Sequence, residues 1–428
     1  MSAPLRLGIA GLGTVGIGVV RIIRQQAALL RQRTGRDIVI TAVSARDRAK
    51  DRGLSLTGYD WEDDAVALAT RSDVDVFVEL VGGHEGTAKD AVEAAITAGK
   101  QVVTANKALL AMHGHVLAEA AEAAGSTLRY EAAVAGGIPV IKTLSEGLAA
   151  NEVTRVMGVM NGSCNYILTR MESAGLTYEE VFAEADGLGY LEADPQLDVG
   201  GIDAAHKLAI LSSLAFGTVV DFDGITLEGI ERVSIEDIRA AADMGYKIKL
   251  LGVAQKTGRG LEQRMQPCLV PDTSPLGQLD GGTNMVVLDG DAVGQIVLRG
   301  PGAGEGPTAS AVMADVCDIA RGVTGPVFGM PVNALTRMPA AHAELPAPYY
   351  LRMSLEDKPG ALAKIATVLG EAGVSIDRMR QYGHEDTAAP VLIVTHKTTP
   401  DALSTAMDAM AGTGVLSADP VALRIEAV

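Results

Sequence analysis

Leu5-Arg6-Leu7-Gly8-Ile9-Ala10, followed at once by Gly11-Leu12-Gly13-Thr14-Val15-Gly16, decides how the chain begins to fold. The first six residues are short, apolar and bounded by a turn, the mark of a buried strand. The next six carry the spacing G-x-G-x-x-G and lead into helical periodicity, the context in which that spacing points to a dinucleotide site. Gly11 permits a tight turn, Gly13 lets backbone approach a pyrophosphate, and Gly16 allows close helix packing. The helix N-terminus, with Thr14 and Val15 in its first turn, would face the anion. The bland alternative is a structural turn that binds nothing.

Outward from this stretch, apolar runs at 37–43, 74–80, 101–104 and 127–132 alternate with alanine-rich helical segments at 85–98 and 108–124. Strands alternating with helices predict a doubly wound parallel sheet, so residues 1–145 read as a Rossmann-type nucleotide-binding domain. The second strand ends Val43-Ser44-Ala45-Arg46 without an acid in the place where one would hold a ribose 2′-hydroxyl. Ser44 and Arg46 suit a 2′-phosphate, which favours NADP over NAD, while Asp47 leaves dual use open.

Residues 146–330 mix strands near 154–160, 249–254 and 285–288 with helices near 179–186 and 203–215, an α+β domain expected to bind substrate and to dimerise. A late helix at 308–322, opened by the glycines of 300–306, is expected to pack back on the first domain. The Pro/Ala-rich stretch 331–348 reads as a linker. Beyond it, residues 349–428 run strand, helix, strand, strand, helix, strand, the order of a ferredoxin-like unit.

The chain has 428 residues and a net charge of −17, with no basic patch or tail, so nucleic acid is not an expected partner. Cysteines at 164, 268 and 317 are odd in number and scattered, fitting neither a disulfide framework nor a zinc site. No export signal and no run of about 18 apolar residues is present, so a cytoplasmic protein away from membranes is expected.

Carbonyl chemistry with a nicotinamide needs a proton donor and charges that hold the substrate. His113 and His115 do not share a helical face and are expected to have no chemical role. A denser cluster lies in the glycine-punctuated loop from Gly187 to Gly201 and the helix after it. There Asp203 and Lys207 stand four apart on one face, beside apolar Leu208 to Leu211. Such a pair is either a surface salt bridge or, if partly buried, a site where the lysine acts as an acid.

Here the sequence resembles the homoserine dehydrogenases. The resemblance rests on GLGTVG (11–16), VELVGG (78–83), TANKALL (104–110), YEAAVAGGIP (130–139), NGSCNYIL (161–168), GYLEADPQLDVGGIDAAHKLAIL (189–211) and PGAGEGPTAS (301–310). It implies reduction of L-aspartate 4-semialdehyde to L-homoserine with NADP or NAD. Lys207 would then be the proton donor, with Lys107 near nicotinamide and substrate. Glu192 would grip the substrate ammonium, and Asp198 and Asp203 would hold substrate and orient the lysine. The cofactor would touch Gly11, Gly13, Thr14, Val15, Gly16, Arg46, Thr104, Lys107 and Gly304. Glu131, Val134, Gly136 and Ile138 match positions that bind a monovalent cation, usually sodium, three through carbonyls and one through a carboxylate. Gly86-Thr87 and Cys164 depart from the family, which often has proline and threonine there.

Residues 349–428 resemble an ACT domain, with Asp357, Gly360 and Ala361 at the turn where such domains bind an amino acid. L-Threonine is the effector this implies, although the unit could instead serve assembly into a homodimer or homotetramer, and the DKPG turn could be a plain helix start. Two other readings stay open: a regulator that has lost catalysis, and a reductase of another amino-acid semialdehyde. No kinase-type segment precedes Gly11, so a fused aspartokinase is not expected.

Overall fold

A computed structural model describes residues 3–192, 194–341, 345–381 and 388–427, with the side chain of Ala388 excepted. Among them, β1 (Leu5–Ala10), β2 (Ile38–Ser44), β3 (Asp60–Trp61), β4 (Val76–Glu79), β5 (Gln101–Thr104) and β6 (Leu128–Arg129) form one sheet in the order β3-β2-β1-β4-β5-β6. Every pairing is parallel. Helices cover both faces, which is why the central strands are mostly apolar and buried. The order reverses between β1 and β4, and the Gly11 turn leaves the carboxyl end of β1 at that switch point.

Two local expectations change. The two-residue β3 has no periodicity by which the sequence could announce it. The expected strand 127–132 stops at Arg129, and Glu131–Ala133 form a 3-10 turn. The buried Glu131 carboxylate accepts from the amides of Ile141 and Lys142, both at 2.9 Å, while its own amide donates to Asp315 at 2.7 Å. These bonds turn the backbone out of the sheet.

The second sheet joins β7 (Val153–Val159), β8 (Thr226–Leu227), β9 (Tyr246–Thr257), β10 (Gly260–Pro271), β11 (Thr283–Gly290), β12 (Gly294–Pro301), β13 (Tyr349–Glu356), β14 (Ile376–Gln381), β15 (Ala388–Thr395) and β16 (Val421–Ile425). Its order is β12-β11-β7-β9-β10-β16-β13-β15-β14, with β8 also on β10. Residues 349–427 thus have ferredoxin-like strand order and their own core around Leu351, Ile365 and Met410, yet their last strand pairs in parallel with β10. Tyr350, Leu392, Val394, Leu423 and Ile425 belong to the same apolar cluster as Ile235 and Ile238 of the middle region. Within the expected linker, Thr336 bridges to Thr218, Ala340 to Leu261 and Ala347 to Thr398, so these described residues are paired to the units on either side.

Helix Glu305–Arg321 returns to pack on helix Thr14–Gln25. It begins three residues earlier than the periodicity suggests, because Pro307 lies in the first turn, where its missing N–H costs nothing. Gly18 permits the contact: a Cβ there would stand 2.8 Å from the Glu305 carbonyl oxygen and 2.9 Å from Ala309 Cβ. Among the described residues no helix is long and apolar enough to cross a membrane. Cys164, Cys268 and Cys317 are free and buried.

The seam between β10 and β16 is ionic and buried. Arg264 Nη2 reaches Glu426 Oε1 at 2.5 Å and Nε reaches Glu262 Oε1 at 3.0 Å, while Arg424 Nε meets the same Glu426 oxygen at 2.6 Å. All four side chains are buried. Removing one member of such a network strands the others in a low dielectric. Glu426→Ala should therefore cost about 3–5 kcal/mol in urea unfolding. A loss below about 1 kcal/mol would mean that the network behaves like a solvated surface pair.

Candidate active site

A cleft of about 800 Å³ opens where the carboxyl end of the first sheet meets the second sheet. Helix Lys107–Ala124 starts on it, capped by Asn106, whose side-chain oxygen accepts from the Leu109 amide at 3.1 Å. Helix Ile202–Phe216 starts opposite, after Gly201 at φ +82°, and carries Asp203 in its first turn and Lys207 one turn on. Helix Gly162–Ala174 begins at Asn161, which caps it through the Cys164 amide at 2.8 Å.

These starts converge on one carboxylate. Asp203 Oδ2 meets Lys207 Nζ at 2.7 Å and Oδ1 meets Lys107 Nζ at 3.0 Å. Lys207 Nζ also donates to the Met160 carbonyl at 2.7 Å. Asn161 Nδ2 bridges Asp198 at 2.8 Å and Asp203 at 3.2 Å, and Asp198 accepts the Glu192 amide at 2.8 Å. The Asp203–Lys207 pair is therefore no surface bridge, since about a tenth of either side chain is exposed. Burial pushes the Asp203 carboxyl up, but the two ammoniums outweigh it and hold the group well below the usual carboxylate range. The same carboxylate raises the Lys107 ammonium above its ordinary value, against the effect of burial. Glu192 lines the cleft with its side chain exposed.

On the other side of the cleft lie Thr14, Val15 and Gly304. Gly11, at φ +95°, admits no side chain, because a Cβ would stand 2.3 Å from the Leu80 carbonyl oxygen. Gly13 faces open space, as close approach to a ligand requires. Gly16 differs from expectation: its Cβ would strike the Gly11 carbonyl at 2.0 Å, so it closes the turn itself, and Gly18 is the residue that admits the neighbouring helix. Neither Gly13 nor Gly304 caps its helix with a side chain, so two helix N-termini turn free amides toward the region. That donor set fits a dinucleotide pyrophosphate.

Other expected residues stand apart. Thr104 is buried outside the cleft lining and donates to Glu79 at 2.5 Å. Arg46 is exposed beyond β2, near Arg48 and Arg52, which stack on Trp61. Val134, Gly136 and Ile138 lie in a sharp turn where Ala135 and Gly136 both have positive φ. The Ile138 carbonyl accepts from Val140 at 2.8 Å. Burial and the neighbouring Asp315 push the Glu131 carboxyl up to about 7. Asp357, Gly360 and Ala361 form the helix start of the C-terminal unit, with Gly360 at φ +89°. Among the described residues, no cluster of three or more His, Cys, Asp or Glu side chains is placed to hold a metal.

Asn161 and the Met160 carbonyl were missed as single residues. Asparagine before a helical run is a capping signal, so the NGSCNYIL stretch could have marked Asn161. A carbonyl carries no such sign.

The parallel sheet, the glycine turn at its switch point and a cleft holding a lysine-flanked carboxylate define an NAD(P)-dependent oxidoreductase. Family models agree: "Homoserine dehydrogenase, NAD binding domain" matches residues 11–131, "Homoserine dehydrogenase" residues 139–317, and "ACT domain" residues 349–412. The chain is 42% identical over 435 residues to homoserine dehydrogenase of Neisseria gonorrhoeae, with 99% of each covered. A crystal structure of the Thiobacillus denitrificans homoserine dehydrogenase superposes with a TM-score of 0.93 at 38% identity, covering 99% of this chain and 98% of that one. The chain belongs to the homoserine dehydrogenase family, whose reaction acts on a CH–OH group.

His206, next to Lys207, packs its ring 4.6 Å from Phe222, and burial lowers its pKa to about 4. Its unfolded value is about 6.5, so between those values the unfolded chain binds more protons and stability rises with pH. NMR titration should give one histidine midpoint near 4 that disappears in His206→Gln. A midpoint at about 6.5 would mean the ring stands in water.

Proposed function

We propose that Lys207 is the group that gives a proton to the substrate oxygen as the carbonyl is reduced, and takes it back in the reverse direction. The observation that carries this is the tether: Nζ sits between the Asp203 carboxylate and the Met160 carbonyl, at the floor of the cleft. Two acceptors fix the ammonium and leave a third N–H for substrate. Lys107 neutralises charge from the opposite wall, and Asp203 orients both lysines. Glu192 and Asp198 would hold the substrate ammonium, a charge-assisted contact. The nicotinamide, when bound, exchanges a hydride with the substrate carbon. Gly11, Gly13, Thr14, Val15, Gly16 and Gly304 would hold its dinucleotide, with Thr104 bracing the wall behind.

NADP is the preferred coenzyme in this reading, because Arg46 stands exposed beyond β2 with Arg48 and Arg52 beside it. Glu131, Val134, Gly136 and Ile138 suit a monovalent cation such as sodium: all are oxygen donors, and each Glu131 oxygen keeps a lone pair beyond the amide it accepts. L-Threonine is the proposed effector at Asp357, Gly360 and Ala361, in a cytoplasmic homodimer or homotetramer. Because the C-terminal unit shares a sheet and a buried charge network with the catalytic region, point changes at this turn are a cleaner test than truncation.

Homoserine-dependent reduction of NADP at alkaline pH, followed by nicotinamide absorbance, should exceed that of NAD and fall on adding threonine. Lys207→Ala should lower kcat by about 10²- to 10⁴-fold while dinucleotide affinity holds. Near-wild-type turnover in that variant would remove Lys207 as the donor.

A further inference from the structure

Among the described residues few buried side-chain nitrogen or oxygen atoms lack a hydrogen bond within the protein, and of these residues Asn284 is the one that lines the cleft, its Oδ1 just beneath the surface. Asn284 is on β11 and is 1% exposed. Its Nδ2 donates at 3.1 Å to the Met160 carbonyl, the oxygen that also accepts Lys207 Nζ. That bond settles which end of the amide is which, since a flipped side chain would set oxygen against oxygen. The amide lies against Gly302, where a Cβ would come within 2.1 Å of Nδ2 and 2.5 Å of Oδ1. Any side chain there would have to displace the amide, so the glycine keeps the Asn284 acceptor in place. A buried acceptor without a donor is unfavourable.

We propose that Asn284 Oδ1 accepts an N–H of the nicotinamide carboxamide and thereby sets which ring face meets the substrate beside Lys207. The inference rests on the dinucleotide crossing this cleft as argued above. A substrate ammonium is the other N–H source, but it carries full charge, and the carboxylates of Glu192 and Asp198 on the same cleft suit it better than a neutral amide does. Gly302 also leads directly into Gly304 and the uncapped helix start on the dinucleotide side. The carboxamide is neutral and planar, as Asn284 is.

The test is a fluorescence titration of NADPH and its reduced 3-acetylpyridine analogue, in which a methyl group replaces the NH2. Wild type should bind the analogue about tenfold more weakly, the loss of one buried hydrogen bond. In Asn284→Ala, and in Gly302→Ala, which displaces the amide, the two ligands should bind within about twofold of each other. 2′-Phospho-ADP-ribose, which lacks the ring, should bind both variants as it binds wild type and so report that they are folded. A wild-type ratio preserved in the folded variants overturns the proposal. So does a variant that keeps this ratio but no longer separates L-homoserine from 4-hydroxybutyrate, which would assign the oxygen to the ammonium. Failure of wild type to bind NADPH or the ring-less fragment would instead remove the dinucleotide reading on which the proposal rests.

Discussion

Asp203 is the constraint on which the rest depends. Its carboxylate is shared by Lys107, at the start of a helix in the first sheet's domain, and by Lys207, on a helix packed against the second sheet. Two neighbouring ammoniums, that of Lys207 nearly buried, would repel each other and lose hydration if no anion stood between them. The triad therefore both charges the cleft and draws its two walls together. Asn161 and Asp198 extend the network, which ties the Glu192 loop to the same point through a backbone amide.

Close backbone approach does for the wall formed by the glycine turn what ions do for the wall around Asp203. Gly11 and Gly16 close the turn on each other, and Gly18 lets helix Glu305–Arg321 settle on helix Thr14–Gln25. The helix that returns from residue 305 thereby brings a second uncapped N-terminus to the cleft. The Arg21–Glu305 pair at 2.5 Å spans the same junction, although its exposure makes it a minor contributor beside the packing.

The C-terminal unit is joined to this frame more firmly than a Pro/Ala-rich connection suggests. β16 pairs with β10, and Arg264 of β10 is held by Glu426. The next residue on β10, Met265, packs against Gly201, the residue that starts the Asp203–Lys207 helix: a Cβ on Gly201 would lie 3.3 Å from Met265 Cγ. The seam and the Asp203–Lys207 helix are thus separated by one strand.

From the sequence alone the nucleotide-binding sheet, the glycine turn, the ferredoxin-like order of the last strands and the i,i+4 spacing of Asp203 and Lys207 were legible, because each is a local pattern with a period or a fixed offset. Whether that pair was a surface bridge or a buried site was not legible, since burial depends on what packs over it. Met160 and Asn284 meet across 124 residues, Arg264 and Glu426 across 162, and neither contact leaves a periodic trace. The early end of β6, the turned-away hydroxyl of Thr104 and the exchange of roles between Gly16 and Gly18 were likewise decided by partners distant in the chain. Local propensity chose the elements; the long-range hydrogen bonds and close contacts that only the assembled fold supplies decided what each residue in the cleft faces.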